Sequence, residues 1–309
     1  MPLKNPFSEE DRRMAMDILE SLKQGVVLGD GGYLEEAKYR GYSTPRVIVE
    51  FPDVLRQIHV DFFRAGAQVL QALTWWTSRS HLDKRGKEQG WGDRLEEINR
   101  TAVRVAKEAA AGEALVAGCV VPSFRPDVPE SHEAIQAEWD EQIAVMVEAG
   151  VDMLICEAFL RLDEARLALA CCKKANVPAM VWMSIFPMER VTREEEGVSP
   201  AECARVLVDE GADSVGMNCT REPRDMWSMV LEMREAVDVP IAFMPVGHRT
   251  SAFGWRPIRE AMIVPGVEMA EYALKAKAEG INFIGACCGA GPEHIRAMAQ
   301  ALDCERDPV

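Results

Sequence analysis

A chain of 309 residues, 48% of them apolar, is long enough for one barrel-sized domain or two ordinary ones and is not a disordered or low-complexity sequence. Its formal charge of −15 repels phosphate, so nucleic acid and anionic membrane surfaces are excluded as expected partners. No apolar run approaches the roughly 18 residues of a spanning helix, the N-terminus carries no signal-peptide pattern, and a cytoplasmic location is expected. Nine cysteines in that reducing setting do not read as a disulfide framework.

The chain opens with a polar lead and an amphipathic helical pattern over about 8–24. Short apolar runs then alternate with longer helical patterns. The predicted strands are 26–30, 67–73, 114–120, 151–156, 178–184, 212–218, 240–244 and 282–286. The helical patterns fall at 52–65, 94–111, 132–149, 163–175, 199–210, 223–237, 267–279 and 292–302. Four units repeat one phrase: RAGAQVLQ, EAGVDMLI, DEGADSVG and AEGINFIG. In each, a glycine suited to the left-handed position closes a helix just before a buried strand. Strands alternating with helices predict parallel pairing through right-handed crossovers. Eight such units predict a (β/α)8 TIM barrel over about 26–302 with a short N-terminal helix, 1–309 forming a single domain. An open doubly wound sheet is the alternative, because periodicity does not reveal closure.

In a barrel, chemistry lies where strands end and loops begin. Those positions hold Asp30 among glycines, Thr74-Trp75-Trp76, Glu157, Asn218-Cys219 and Cys287-Cys288-Gly289. Cys287 and Cys288 follow the eighth strand and Cys219 the sixth, close enough in a barrel for three thiolates to meet one ion. Three thiolates with an open fourth position describe a catalytic zinc site; buried small residues are the reading that spacing leaves open. Cys171-Cys172 lies inside a helical pattern and reads as packing. Asp30 is either a turn aspartate or a ligand-binding carboxylate, and Glu157 either a rim charge or a buried group that needs a partner. Asn218 would orient a metal ligand or a substrate. His59, His81, His132 and His248 show no metal spacing and read as packing or surface residues.

The segments GDGGYLEEAKYRGYSTP, FPDVLRQIHVDFFRAGAQVLQALTWW, GMNCT and INFIGACCGAGPEHIRAMA resemble the homocysteine S-methyltransferase family over about 26–302. That family includes betaine–homocysteine methyltransferases, S-methylmethionine-dependent enzymes and the homocysteine domain of cobalamin methionine synthase. The resemblance implies Zn2+ on Cys219, Cys287 and Cys288, and homocysteine as the thiol acceptor among Asp30, Gly31, Glu157 and Asn218. It also implies a small onium methyl donor such as betaine, S-methylmethionine or dimethylsulfoniopropionate. An ordinary thiol has a pKa of about 8.5, and coordination to zinc would ionise it for attack. His294 matches the family pattern and reads as a structural hydrogen-bonding residue.

On the donor side, aromatic faces attract methylated cations. Trp76 stands where the betaine enzymes have a tyrosine, and strand alternation predicts that only one of Trp75 and Trp76 points into the mouth. The polar segment 77–93 is expected to be a lid or a solvated insertion. From it Arg79 is expected to pair with a donor carboxylate, Arg249 being a second candidate. The chain departs from the betaine pattern at Ser43, where those enzymes have tryptophan, and at Ala158, where they have tyrosine. The chain is expected to lack their long C-terminal dimerisation arm, a homo-oligomer is left open, and a corrinoid donor is not expected. The alternatives are a zinc-thiolate methyltransferase or demethylase acting on another thiol, and an inactive zinc-binding barrel.

Overall fold

A computed structural model describes residues 17–123, 132–186, 189–194, 196–250 and 262–304. Its strands are β1 (Val27–Leu28), β2 (Val69–Gln71), β3 (Leu115–Val120), β4 (Met153–Phe159), β5 (Ala179–Met183), β6 (Ser214–Asn218), β7 (Ile241–Met244) and β8 (Phe283–Ile284). They pair in the order β1-β8-β7-β6-β5-β4-β3-β2, every ladder parallel. A parallel bridge from Gly29 to Val69 joins β1 to β2 and closes the ring. The closed (β/α)8 barrel therefore holds and the open sheet does not. Glycine is required at the closure, because a Cβ on Gly29 would stand 2.8 Å from the Phe283 ring.

Strand alternation divides the apolar residues into two layers. Val27, Val69, Ala117, Ile155, Trp182 and Phe283 are among those filling the barrel interior. Leu28, Leu70, Val116, Leu154, Val181 and Ile284 face outward into the layer shared with the helices. The N-terminal helix, described over Asp17–Gln24, inserts Ile18 and Leu22 into the interior cluster. Asn282, just before β8, donates its side-chain amide to the Leu22 carbonyl at 2.7 Å, so this helix plugs the N-terminal end of the barrel. Positions 8–16 of the predicted helix lie outside the described residues. The plug leaves only the opposite end, where the strands run out, for a ligand.

The repeated helix-closing phrase is realised as read, with Gly66, Gly150, Gly211 and Gly280 at φ 113°, 92°, 92° and 72°. The crossover helices are Pro52–Arg64, Leu95–Ala110, His132–Glu148, Leu162–Cys172, Pro200–Asp209, Pro223–Ala236, Gly266–Ala278 and Pro292–Leu302. Two short helices, Tyr33–Tyr39 and Arg46–Val49, were not expected after β1. The segment 77–93 is not an unstructured insertion: it folds into the helix Arg79–Gly86 and two single 3-10 turns, with Leu82 and Trp91 buried. Cys171 and Cys172 are buried as packing residues, the Cys172 sulfur lying 3.3 Å from that of Cys156. Among the described residues no helix is long and apolar enough to cross a membrane.

Candidate active site

Cys219 leaves β6 with φ 58° and Thr220 follows at φ 56°, a left-handed pair that turns the Cys219 side chain off the strand line. The end of β7 templates both cysteine loops: Cys219 N–H donates to the Met244 carbonyl at 3.0 Å and Cys287 N–H to that of Pro245 at 2.8 Å. The sulfurs of Cys219 and Cys288 stand 3.6 Å apart, and those of Cys287 and Cys288 3.9 Å apart. All three sulfurs lie within 4.8 Å of one another. The Cys287 and Cys288 thiols hydrogen-bond toward Cys219 and push its pKa well below the ordinary thiol value. Their own ionisation is correspondingly suppressed, Cys288 being pushed up to about 12.

Beside the sulfurs lie two buried carboxyls. Glu157, at the end of β4, is 3% exposed and bracketed by two donors, the Cys119 thiol at 2.8 Å and the Asn218 side-chain amide at 2.6 Å. Burial nevertheless pushes it up to about 8. Asp30 accepts the Gln71 N–H at 2.8 Å, and burial drives it well above the usual carboxylate range, with Glu157 adding to the effect. No arginine or lysine ion-pairs with either among the described residues. Uncompensated carboxyls in a low-dielectric floor favour a cationic ligand.

These groups face a cavity of about 440 Å³ lined by Gly31, Glu157 and the three cysteines on its inner side. Asp30 and Asn218 sit behind that lining, Asn218 also accepting the Ala158 N–H at 2.8 Å. Both Trp75 and Trp76 line the cavity. Alternation fails there because Trp76 takes φ 59°, which swings the second ring back beside the first, 5.7 Å away edge-on. Ala158 and Phe186 line the cavity as well. The cavity lies at the C-terminal ends of the strands, opposite the plugged end.

Arg79 does not reach this mouth. Its guanidinium is held by the Glu141 carboxylate and by the Gly92 carbonyl at 3.1 Å, which fastens the helix Arg79–Gly86 to the helix His132–Glu148. Arg249 is likewise engaged, by Glu222 at 2.8 Å and by Glu268. We expect Arg79→Ala to leave the Michaelis constant of a carboxylated donor within about twofold of wild type, since rim charges contribute little; a tenfold rise in steady-state assays would return Arg79 to the site. His294 caps the last helix, accepting the Gly291 N–H at 3.1 Å.

Sequence reasoning passed over several residues at this mouth. Cys119 shares the inward face of β3 with Ala117, which alternation signals, but its meeting with Glu157 is a contact between strands. Glu35, from the helix Tyr33–Tyr39, and Phe186, Arg161 and Arg193, from loops whose sequence carries no motif, also line the cavity. Burial raises Glu35 to about 7, and the nearby Cys288 adds to the shift.

Residues 27–302 match the family model for homocysteine S-methyltransferase. The chain is 35% identical to betaine–homocysteine S-methyltransferase 1 of Danio rerio, over 94% of its own length and 76% of that protein. It is 33% identical to the S-methylmethionine–homocysteine S-methyltransferase BHMT2 of Pongo abelii, over 94% of this chain and 82% of that one. The metallated form of the homocysteine methyltransferase MmuM from Escherichia coli superposes with a TM-score of 0.73 at 22% identity, covering 94% of this chain and 99% of that one. This last likeness is one of fold.

Proposed function

The chain belongs to the homocysteine S-methyltransferase family, and we propose that it transfers a methyl group from a small onium donor to the sulfur of homocysteine, giving methionine, with zinc held by Cys219, Cys287 and Cys288. The observation that carries this reading is the sulfur triangle. Tetrahedral zinc with bonds of about 2.3 Å sets its sulfur ligands about 3.8 Å apart, and the two measured contacts are 3.6 and 3.9 Å. The donor set fits zinc, and the three cysteines that would hold it line the cavity. When bound, zinc would supply the Lewis acidity that keeps the acceptor sulfur ionised at neutral pH.

The protein's own groups do the positioning. Glu157, with Asp30 behind it, offers negative charge to the acceptor's ammonium, and Cys119 and Asn218 fix the direction of the Glu157 carboxylate. Gly31 and Gly32 let the loop after β1 press against the cysteine loop: a Cβ on Gly31 would stand 2.6 Å from the Ala290 carbonyl oxygen, and one on Gly32 3.0 Å from that of Cys287. Trp75, Trp76 and Phe186 line the cavity with aromatic rings suited to a methylated cation, one face of Trp76 being covered by the Arg85 guanidinium at 4.3 Å and one of Phe186 by that of Arg193 at 4.0 Å. Attack needs the sulfur, the methyl carbon and the leaving atom in line, and holding both partners in one cavity supplies that order. No side chain need move a proton at the methyl group, because an onium centre leaves neutral.

Zinc-loaded protein incubated with homocysteine and a panel of onium donors (betaine, S-methylmethionine, dimethylsulfoniopropionate) is expected to yield methionine by mass spectrometry with at least one. No product with any donor from protein that holds one zinc per chain would overturn the reading.

A further inference from the structure

Arg221, two residues beyond Cys219, is only 7% exposed and makes no ion pair among the described residues. Its guanidinium is instead spent on main-chain carbonyls. Nε donates to Ile185 at 2.8 Å, Nη2 to both Phe186 and Glu189, and Nη1 to Asp225 at 3.4 Å. A buried charge satisfied only by carbonyl dipoles is a costly arrangement, so what those carbonyls hold is informative. Phe186 belongs to the aromatic wall of the cavity, and Ile185 leads into it from β5. At its other end Arg221 is bound to the ligand loop: its N–H donates to the Cys219 carbonyl at 2.6 Å, and its own carbonyl accepts the Val246 N–H at 2.9 Å. Thr220 adds a parallel tie, its hydroxyl donating to the Ile185 carbonyl at 3.0 Å.

The strained residues lie between these ties. Cys219 and Thr220 are consecutive side-chain-bearing residues at φ 58° and 56°, a conformation that persists only where the surroundings over-determine it. We infer that Arg221 is a positioning residue that locks the ligand loop of Cys219 and the donor wall at Phe186 into one rigid unit, so that metal geometry and donor placement are set together. The planar fork of arginine spans the Ile185, Phe186 and Glu189 carbonyls at once; the compact ammonium of lysine does not. This rests on the reading of Cys219 as a zinc ligand and of Phe186 as donor wall.

The test compares Arg221→Met, Arg221→Lys and Thr220→Val with wild type. Leu207→Ala serves as a control for stability loss, because Leu207 is buried in the core beneath the helix Pro200–Asp209 and touches no part of the cavity. Zinc affinity is read by competition with a chromophoric chelator, melting temperature by circular dichroism, and both Michaelis constants at saturating zinc. Both arginine variants are expected to bind zinc about 10–100-fold more weakly, and to raise the donor Michaelis constant roughly tenfold with that of homocysteine changed far less. Thr220→Val, which loses one hydrogen bond and keeps its shape, should weaken zinc about fivefold. Leu207→Ala should melt earlier with zinc affinity unchanged.

If Arg221→Met does not fold, Arg221→Lys and Thr220→Val carry the test. Zinc affinity and donor constant at wild-type values in those two, or shifted equally in Leu207→Ala, would overturn the inference while leaving the zinc reading intact. Wild-type protein that binds no zinc would overturn both.

Discussion

A Cys219→Ser chain is expected to lose the proposed zinc binding and methyl transfer together while keeping its barrel. Structural zinc sites bind with about 10–16 kcal/mol at neutral pH over four ligands, so one ligand accounts for roughly 3–4 kcal/mol, or about 10²–10³-fold in affinity. Serine cannot replace the lost thiolate, because its hydroxyl stays protonated at neutral pH. The remaining pair, Cys287 and Cys288, lies 3.9 Å apart on one loop and offers the ion only one side. Turnover at limiting zinc is expected to fall by at least the same factor. The fold should be nearly indifferent, because Cys219 is outside both apolar layers, at the open end of the barrel. Zinc content by elemental analysis, chelator competition and a circular dichroism melt decide the matter. Retained zinc at wild-type affinity would remove Cys219 from the ligand set, and a collapsed melt would make its role structural.

That three cysteines meet at the barrel mouth was legible in the sequence for a physical reason, while zinc as their ligand came only from the family resemblance. A residue that closes a barrel strand must face the mouth, and eight alternating units fix where strands end to within a few residues. The same argument placed Asp30, Glu157 and Asn218. It failed at Trp75 and Trp76, because alternation presumes extended backbone and Trp76 takes φ 59°. It failed at Arg79 because the residue is captured by Glu141, and a contact across 62 positions leaves no trace in local pattern. Segment 77–93 read as a loop since it is mostly polar; Leu82 and Trp91 anchor it by tertiary packing, which overrides a weak local preference. Arg221 carries no signal in the local pattern, and its burial follows from carbonyls gathered from the neighbouring loop. Barrel closure itself depended on one bridge, Gly29 to Val69, in the shortest part of the sheet.

Glu157→Gln should weaken homocysteine binding and flatten the dependence of stability on pH, two effects with one origin. In the substrate-free protein burial raises the Glu157 carboxyl from its ordinary 4.5 to about 8. The folded state therefore holds a proton there, between those two values, that the unfolded chain has released. Stability falls wherever the folded state binds more protons than the unfolded one. The Glu157 contribution is thus fully present below pH 4.5 and is lost progressively as pH rises toward 8. At roughly 1.4 kcal/mol for each tenfold change, the loss reaches several kcal/mol. Glutamine carries no charge to desolvate, so urea unfolding of metal-free protein should decline less between pH 5 and pH 8 in the variant, by about 2 kcal/mol or more. Glu35 and Glu164 are raised in both chains and cancel in the comparison, whereas Asp30 loses the part of its rise that Glu157 supplies, which flattens the variant's slope further. The charge that destabilises the empty site is the one proposed to receive the acceptor's ammonium. Removing one partner of a buried charge pair costs about 2–5 kcal/mol, so the homocysteine Michaelis constant should rise roughly 10²–10³-fold while that of the donor changes little. Parallel pH slopes, or a homocysteine constant within threefold of wild type, would show that the ammonium is held elsewhere.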